Sequence, residues 1–265
     1  MNPIIKYPGG KRNEIKYFEK YIPNEYIRYV EPFVGGGAVF FHLEPKRALI
    51  NDLNENLIDF YKSLSSNSNK IIKELKEMKN EEDFFYTIRD MFNSKIEPKY
   101  SKASMFFYLN KTAYSGVSRY NKKGEFNTPY GRYKNYNPWK FITKESIDLL
   151  KRTEIMNKDF TEIFKLLNEN DFVFLDPPYM SDFKQYSVQK DGDNGFSEQK
   201  QSELAECFKN SKAKCLMVIS DLGIIRNLYK DYIKDEYEKK YSVNAKNQKE
   251  NKNVVKHLII TNYKL

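Results

Sequence analysis

The stretch VFLDPPYM, residues 173–180, ends an apolar run on a carboxylate, followed by two prolines and an aromatic ring. Asp176, Pro177, Pro178 and Tyr179 are types that can grip a weakly nucleophilic amino group on a flat ring. The lone pair of such an amine is delocalised into the ring. It becomes a better donor when acceptors hold its two N–H groups out of the ring plane. Asp176 supplies one acceptor and the Pro177 carbonyl the other, in a turn that the prolines stiffen and strip of competing N–H groups. Tyr179 can stack on the ring of a base taken out of its helix. The plain alternative is a rigid turn ending a strand, with a surface tyrosine.

A second set of residues suits a nucleotide-like ligand. In YVEPFVGGGAVFF, residues 29–41, a strand runs into Gly35, Gly36 and Gly37 and then into a helix. Glycines there permit a tight turn and close approach of a ligand. Asp52, 17 residues beyond Gly35 and at the end of the next strand, is placed to accept hydrogen bonds from ribose hydroxyls. KYPGGKR, residues 6–12, lacks the spacing of a phosphate-binding P-loop. It reads either as a turn before a helix over 13–21 or as a second wall of the same pocket, with Lys11 facing a carboxylate.

These residues need a scaffold. Strands are expected at 27–30, 47–51, 154–157, 171–175 and 214–219, with a paired edge hairpin from 236–243 and 254–262. Helices are expected over 37–43, from DFTE at 159–162 to about Asn168, and from an N-cap at Ser197 to Phe208. Strands alternating with helices imply an α/β fold with a parallel sheet. The middle, residues 58–144, reads as a mainly helical insertion with its own small core. Its helices are expected over 68–79, 81–93 and 102–112, with a polar bend or a frayed connection at 63–70, and a hairpin turns near 122–124. The polar segment 180–196 is expected to be a lid or a plain surface loop, and 244–253 a basic hairpin tip.

Composition bounds the rest. The 265 residues can form one large domain or a domain with an insertion. A net charge of +9 and a pI of about 9.1 suit a polyanion, although A/T-rich codons alone would raise lysine. Cys207 and Cys215 form no CxxC pair and read as two ordinary buried thiols; two distant histidines suggest no metal site. With no apolar stretch of membrane-span length and no signal-peptide core, a cytoplasmic protein is expected.

Taken in order, KYPGGK, EPFVGGGAVFF, Asp52, DF at 159–160, SRYNKKGEFNTPYGRYK and DPPY resemble the Dam-like (D12 class, alpha-group) DNA adenine-N6 methyltransferases over nearly the whole chain. The resemblance implies a Rossmann-like S-adenosylmethionine-dependent methyltransferase sheet, with residues 1–57 and 145–265 as the catalytic and cofactor-binding domain. Residues 58–144 would then be a DNA target-recognition domain. It implies that Tyr7, Gly9, Gly10, Lys11, Phe33, Gly35, Asp52, Asp159, Phe160 and Asp176 line the cofactor site, and that Asp176, Pro177, Pro178 and Tyr179 hold the target adenine. Tyr114, Arg119, Asn121, Pro129, Arg132, Tyr133 and Lys134 are the DNA-contact candidates, with GATC the favoured site. Neighbours of Arg119 in TAYSGVSRYN depart from the family pattern. Double-stranded DNA is the implied partner, with a cognate restriction enzyme as a candidate second one; no metal is called for. The rival readings are a methyltransferase acting on RNA or on a protein glutamine, and a DNA-binding regulator without turnover.

Overall fold

The computed structural model describes residues 1–7, 9–94, 98–178, 196–240 and 254–264. Tyr179, all of the expected lid or loop at 180–196 except Phe196, and the whole of the expected basic loop at 244–253 lie outside them. In chain order the elements are α1 (Ile15–Phe18), β1 (Arg28–Glu31), α2 (Ala38–Leu43), β2 (Ala48–Asn51), α3 (Glu55–Glu77), α4 (Glu82–Asn93) and α5 (Lys102–Thr112). They continue with α6 (Lys144–Lys151), β3 (Thr153–Met156), α7 (Phe160–Phe164), β4 (Asp171–Leu175), α8 (Glu198–Asn210), β5 (Lys214–Ser220), α9 (Gly223–Leu228), β6 (Ile233–Lys240) and β7 (Val254–Thr261).

The sheet has the order β3-β2-β1-β4-β5-β7-β6. The first five strands are parallel; β7 runs antiparallel to both β5 and β6. This is the expected mixed α/β sheet with a hairpin at its edge. Strand order reverses between β1 and β4, so a crevice opens beyond their carboxyl ends, where open α/β sheets bind ligands. Both faces are covered, which is why β4 after Asp171 reads as the unbroken apolar run FVFL, residues 172–175. Its side chains alternate: Phe172 and Phe174 join one core, Val173 and Leu175 the other.

The first core does not stop at the sheet. It continues into α3, α4 and α5, where Phe60 stacks on Phe107 at 4.7 Å. The bend expected at 63–70 is present as a kink: α3 leaves helical geometry at Asn67 (φ −143°, ψ 45°), while Leu64, Ile71 and Leu75 stay buried on either side of it. The helix expected over 13–21 is broken into short 3-10 and α pieces. Along residues 11–21 the buried positions are Lys11, Glu14, Ile15, Phe18 and Tyr21. The helix after Asp159 ends at Phe164, well short of Asn168, and passes into turns. Ser197 caps α8 as expected, accepting from the Lys200 N–H at 3.2 Å. Cys215 is buried and Cys207 half-buried; both are free thiols.

Candidate active site and nucleic-acid interface

The loops leaving β1, β2, β3 and β4 converge at the crevice. After β1 the chain turns through Gly35 and Gly37, both at positive φ (46° and 68°), before α2 begins. A side chain at Gly35 would meet the Tyr7 ring at 2.9 Å, so that ring lies against the glycine turn. Asp52, past the end of β2, accepts from the N–H of Gly35 and of Asn54, each at 2.9 Å. Burial raises its pKa, and these N–H groups oppose the rise. Tyr61 of α3 donates to the Gly35 carbonyl at 3.0 Å.

Phe33 and Phe160 pack together at 5.6 Å, and Phe196 closes the cluster at 5.7 and 5.6 Å. Asp159 caps α7 through Thr161 and lies 3.3 Å from the Lys200 amine. Burial would raise the Asp159 pKa; the Thr161 bonds and the Lys200 charge outweigh it, and the net shift is downward. The turn 7–11 delivers its two ends to different partners. Gly9 has φ 79° and the Gly10 N–H donates to the Tyr7 carbonyl at 3.3 Å, so the chain doubles back. Tyr7 meets the glycines, while Lys11, 1% exposed, places its amine 2.6 Å from Asp176 Oδ1. Burial pushes the Asp176 pKa up, with Lys11 opposing. Asp176 Oδ2 and the Pro177 carbonyl take no hydrogen bond from the described residues. Tyr179 is not among those residues.

Several positioning residues escaped the sequence reading. Asn51, 1% exposed, ties three segments: its amide donates to the carbonyls of Pro32 (3.0 Å) and Lys158 (2.9 Å), and its carbonyl accepts from Lys158 N–H (2.8 Å). A polar residue closing the otherwise apolar strand ALIN is the signal that marks it. Asn110 of α5 pairs with both backbone groups of Lys6, at 3.0 and 2.8 Å, as a neighbouring strand would. Glu31, buried at the end of β1, accepts from Tyr29 Oη at 2.7 Å; burial pushes its pKa well up. Gln201 of α8 is buried with its amide toward the Pro178 carbonyl, bracing the DPP turn from behind.

Away from the crevice, 113–130 forms a hairpin through the bridges Ala113↔Tyr130 and Tyr120↔Phe126. Asn121 builds its turn: the side-chain oxygen accepts from the N–H of Lys123 and Glu125, and the amide donates to the Glu125 carboxylate. Arg119 is exposed, with its guanidinium steered by Asn127 at 2.9 Å and 3.3 Å. Tyr114 is 64% exposed; Pro129 is exposed and its carbonyl accepts from the Tyr114 N–H. Arg132 has φ 52° and pairs with Glu82 at 3.1 Å, Lys134 is exposed, and Lys6 lies over the Tyr133 ring at 4.3 Å. Lys111 is buried against Phe141 at 4.0 Å, without a carboxylate in ion-pair reach among the described residues.

Against a ligand with ribose hydroxyls and a flat ring, this donor set fits. It offers a strand-end carboxylate anchored by the N–H of a tight glycine turn, and an aromatic wall at Phe33 and Phe160. Among the described residues no group of three or more His, Cys, Asp or Glu could hold a metal, and no helix is long and apolar enough to cross a membrane.

Comparison with known proteins agrees with this geometry. The family model described as D12 class N6 adenine-specific DNA methyltransferase matches residues 7–248. The chain is 40% identical to the Type II methyltransferase M.CviBI of Paramecium bursaria Chlorella virus NC1A, over 99% of this chain and 100% of that protein. It is 32% identical to the Type II methyltransferase M1.LlaDCHI of Lactococcus lactis subsp. cremoris, over 99% and 96%. It is 30% identical to a DNA adenine methylase of Vibrio cholerae, over 86% and 84%.

Proposed function

Because the chain belongs to the D12 class of N6 adenine-specific DNA methyltransferases, we propose that it methylates N6 of an adenine turned out of double-stranded DNA, with GATC the favoured site. The observation that carries this reading is the placement of Asp176. A strand-end carboxylate stands at the switch point of the sheet, with Lys11 on one oxygen and the other taking no hydrogen bond from the described residues.

The family generally uses S-adenosylmethionine, which when bound supplies the methyl group on a sulfonium, a leaving group needing no metal. Asp52 would hold its ribose hydroxyls, and Phe33, Asp159 and Phe160 would bound its adenine. Tyr7, Gly9, Gly10, Lys11 and Gly35 would line the remainder, beside Asp176. Asp176 and the Pro177 carbonyl accept from the two N–H groups of the target amine, and Pro178 keeps the turn rigid. Tyr179 would stack on the base. Asp176 need not be a strong base, because the amine becomes acidic only as it is alkylated; positioning and electrostatics do the rest.

Residues 58–144 are assigned DNA recognition and 1–57 with 145–265 catalysis, a division by role rather than by core. Arg119 would read a guanine edge, the pairing in which arginine excels. Tyr114, Pro129, Arg132, Tyr133 and Lys134 would contact base or backbone, and Asn121 would act through the turn it builds. Two relatives bear Type II names, which favours a cognate restriction enzyme in the same system.

The test is transfer of labelled methyl groups to a GATC duplex and to a scrambled one, with nucleosides identified by mass. N6-methyladenine in the GATC duplex alone is expected. Arg119→Ala should erode that preference by about 1–3 kcal/mol. Equal labelling of both duplexes by the unaltered protein would refute site specificity.

A further inference from the structure

Glu14 is a carboxylate with no part in the chemistry above, yet it is 4% exposed. Burying a charge is costly unless it is paired and hydrogen-bonded, and this one is surrounded. Its Oε2 accepts from Tyr237 Oη at 2.6 Å and lies 3.0 Å from His257 Nδ1. Its Oε1 accepts from Lys239 Nζ at 2.5 Å. Tyr17 stacks on Tyr237 at 4.5 Å, and Ser220 Oγ stands 3.5 Å from the other nitrogen of His257. The edge strands β6 and β7 are thereby joined to the segment that carries Lys11.

That segment makes a single 3-10 turn between them: the Glu14 N–H donates to the Lys11 carbonyl at 2.7 Å. In a 3-10 turn, side chains three apart eclipse, so Lys11 and Glu14 face the same way. The result is a row of alternating charges: Asp176, Lys11, Glu14, Lys239. Through this row the Glu14 charge pushes the Asp176 pKa up and the Lys239 charge pushes it down.

We propose that Glu14 is a positioning residue for the methyl-transfer step, counterbalancing Lys11 so that Asp176 keeps an oxygen and enough basicity for the target amine. The proposal rests on the reading that Asp176 holds that amine. Lys11 withdraws charge from Asp176; Glu14 limits the withdrawal. Without the Glu14 charge, Lys11 draws harder on Asp176, and its carboxylate becomes a weaker acceptor. Without Lys239, the change has the opposite sign. Glu14 can serve throughout the working pH range because its own pKa is held at about 2: burial pushes it up, but His257, Lys11, Lys239 and Tyr237 together bring it down. Among the described residues, Tyr7 and the β1 residues Tyr29 and Glu31 also act with Asp176; Glu14→Gln and Lys239→Met leave all three in place.

The experiment is the pH dependence of kcat on a methylatable duplex for the full chain and for Glu14→Gln, Lys239→Met and Asp176→Ala. Glu14→Gln should lower the plateau and move the acid limb down by roughly half a pH unit or more, with cofactor KM changed less than about threefold. Lys239→Met should move the acid limb up. A purely structural role would lower activity without moving the limbs in opposite directions. If Glu14→Gln does not fold, the Lys239→Met shift still decides. Limbs that stay put or move together, with Asp176→Ala inactive, overturn the role of Glu14. Activity retained by Asp176→Ala overturns instead the reading of Asp176 itself.

Discussion

Replacing Asn51 by aspartate is a demanding test of how the crevice is held. The two residues differ by one group, yet the Asn51 amide donates to two carbonyls, Pro32 and Lys158, at 3.0 and 2.9 Å in a fully enclosed site. A carboxylate would aim negative charge at both oxygens. The folded variant must therefore carry a proton, which can satisfy one carbonyl and leaves the other bare. An unfolded aspartate has a pKa of about 3.9, so the folded value is raised. For an acid raised in the fold, the penalty is absent below the unfolded pKa and grows as pH climbs above it. The growth is about 1.4 kcal/mol per unit while the proton stays bound, or about 4 kcal/mol between pH 5 and pH 8. The bare carbonyl adds a pH-independent loss of about 1–3 kcal/mol. Urea unfolding of both proteins at pH 5 and pH 8 isolates the difference, since titrations common to the two cancel. Asn51→Asp should be moderately weakened at pH 5 and severely so at pH 8. A difference in stability that is the same at both pH values would refute the account of Asn51 as a buried three-way tie.

Two further outcomes follow from packing and burial. A Cβ at Gly36 would stand 2.8 Å from Tyr7 Cβ and 3.3 Å from the Ile5 carbonyl, whereas one at Gly10 meets only the Tyr7 carbonyl at 3.4 Å. Gly36→Ala should cost about 1–3 kcal/mol and weaken cofactor binding in calorimetry, while Gly10→Ala changes stability by less than about 0.5 kcal/mol; equal losses would disprove the contact. Lys111 is pushed down to about 7 by burial, with Lys6 adding to the effect, so the fold favours its neutral form. The stability linked to it is present above the unfolded pKa of 10.5 and is lost as pH falls through 7. Lys111→Met should therefore be more stable than the parent near pH 7, by about 4 kcal/mol at most, with the advantage fading toward pH 10.5 in denaturant melts.

The strands were readable because burial on both faces demands apolar runs such as FVFL, residues 172–175, which end where the sheet ends. Asp52 and Asp176 were readable for the same reason: a carboxylate terminating such a run has few structural uses. The pieces at 13–21 and 160–164 misled because local cues announce a helix start but not how soon the chain must turn away. The first breaks into 3-10 turns on both sides of Ile15–Phe18, and α7 yields to turns before β4. Contacts between distant positions left no local trace. Lys11 meets Asp176 across 165 residues and Glu14 meets Tyr237 across 223. In α5 every residue from Ala103 to Thr112 is buried, so periodicity could not single out Asn110 or Lys111.

The unbroken core between sheet and middle helices bears on how such enzymes could acquire new target sites. Cutting at 58 and 144 to exchange a cassette would separate Tyr61 from Gly35 and Asn110 from Lys6, dismantling the acceptor's own crevice. The hairpin is a better unit of exchange. Residues 113–130 begin and end at one bridge, Ala113↔Tyr130, and display Tyr114, Arg119 and Pro129 outward. On the proposed role of Arg119, new specificities on this scaffold should arise by rewriting that hairpin while α3 and α5 stay with the parent.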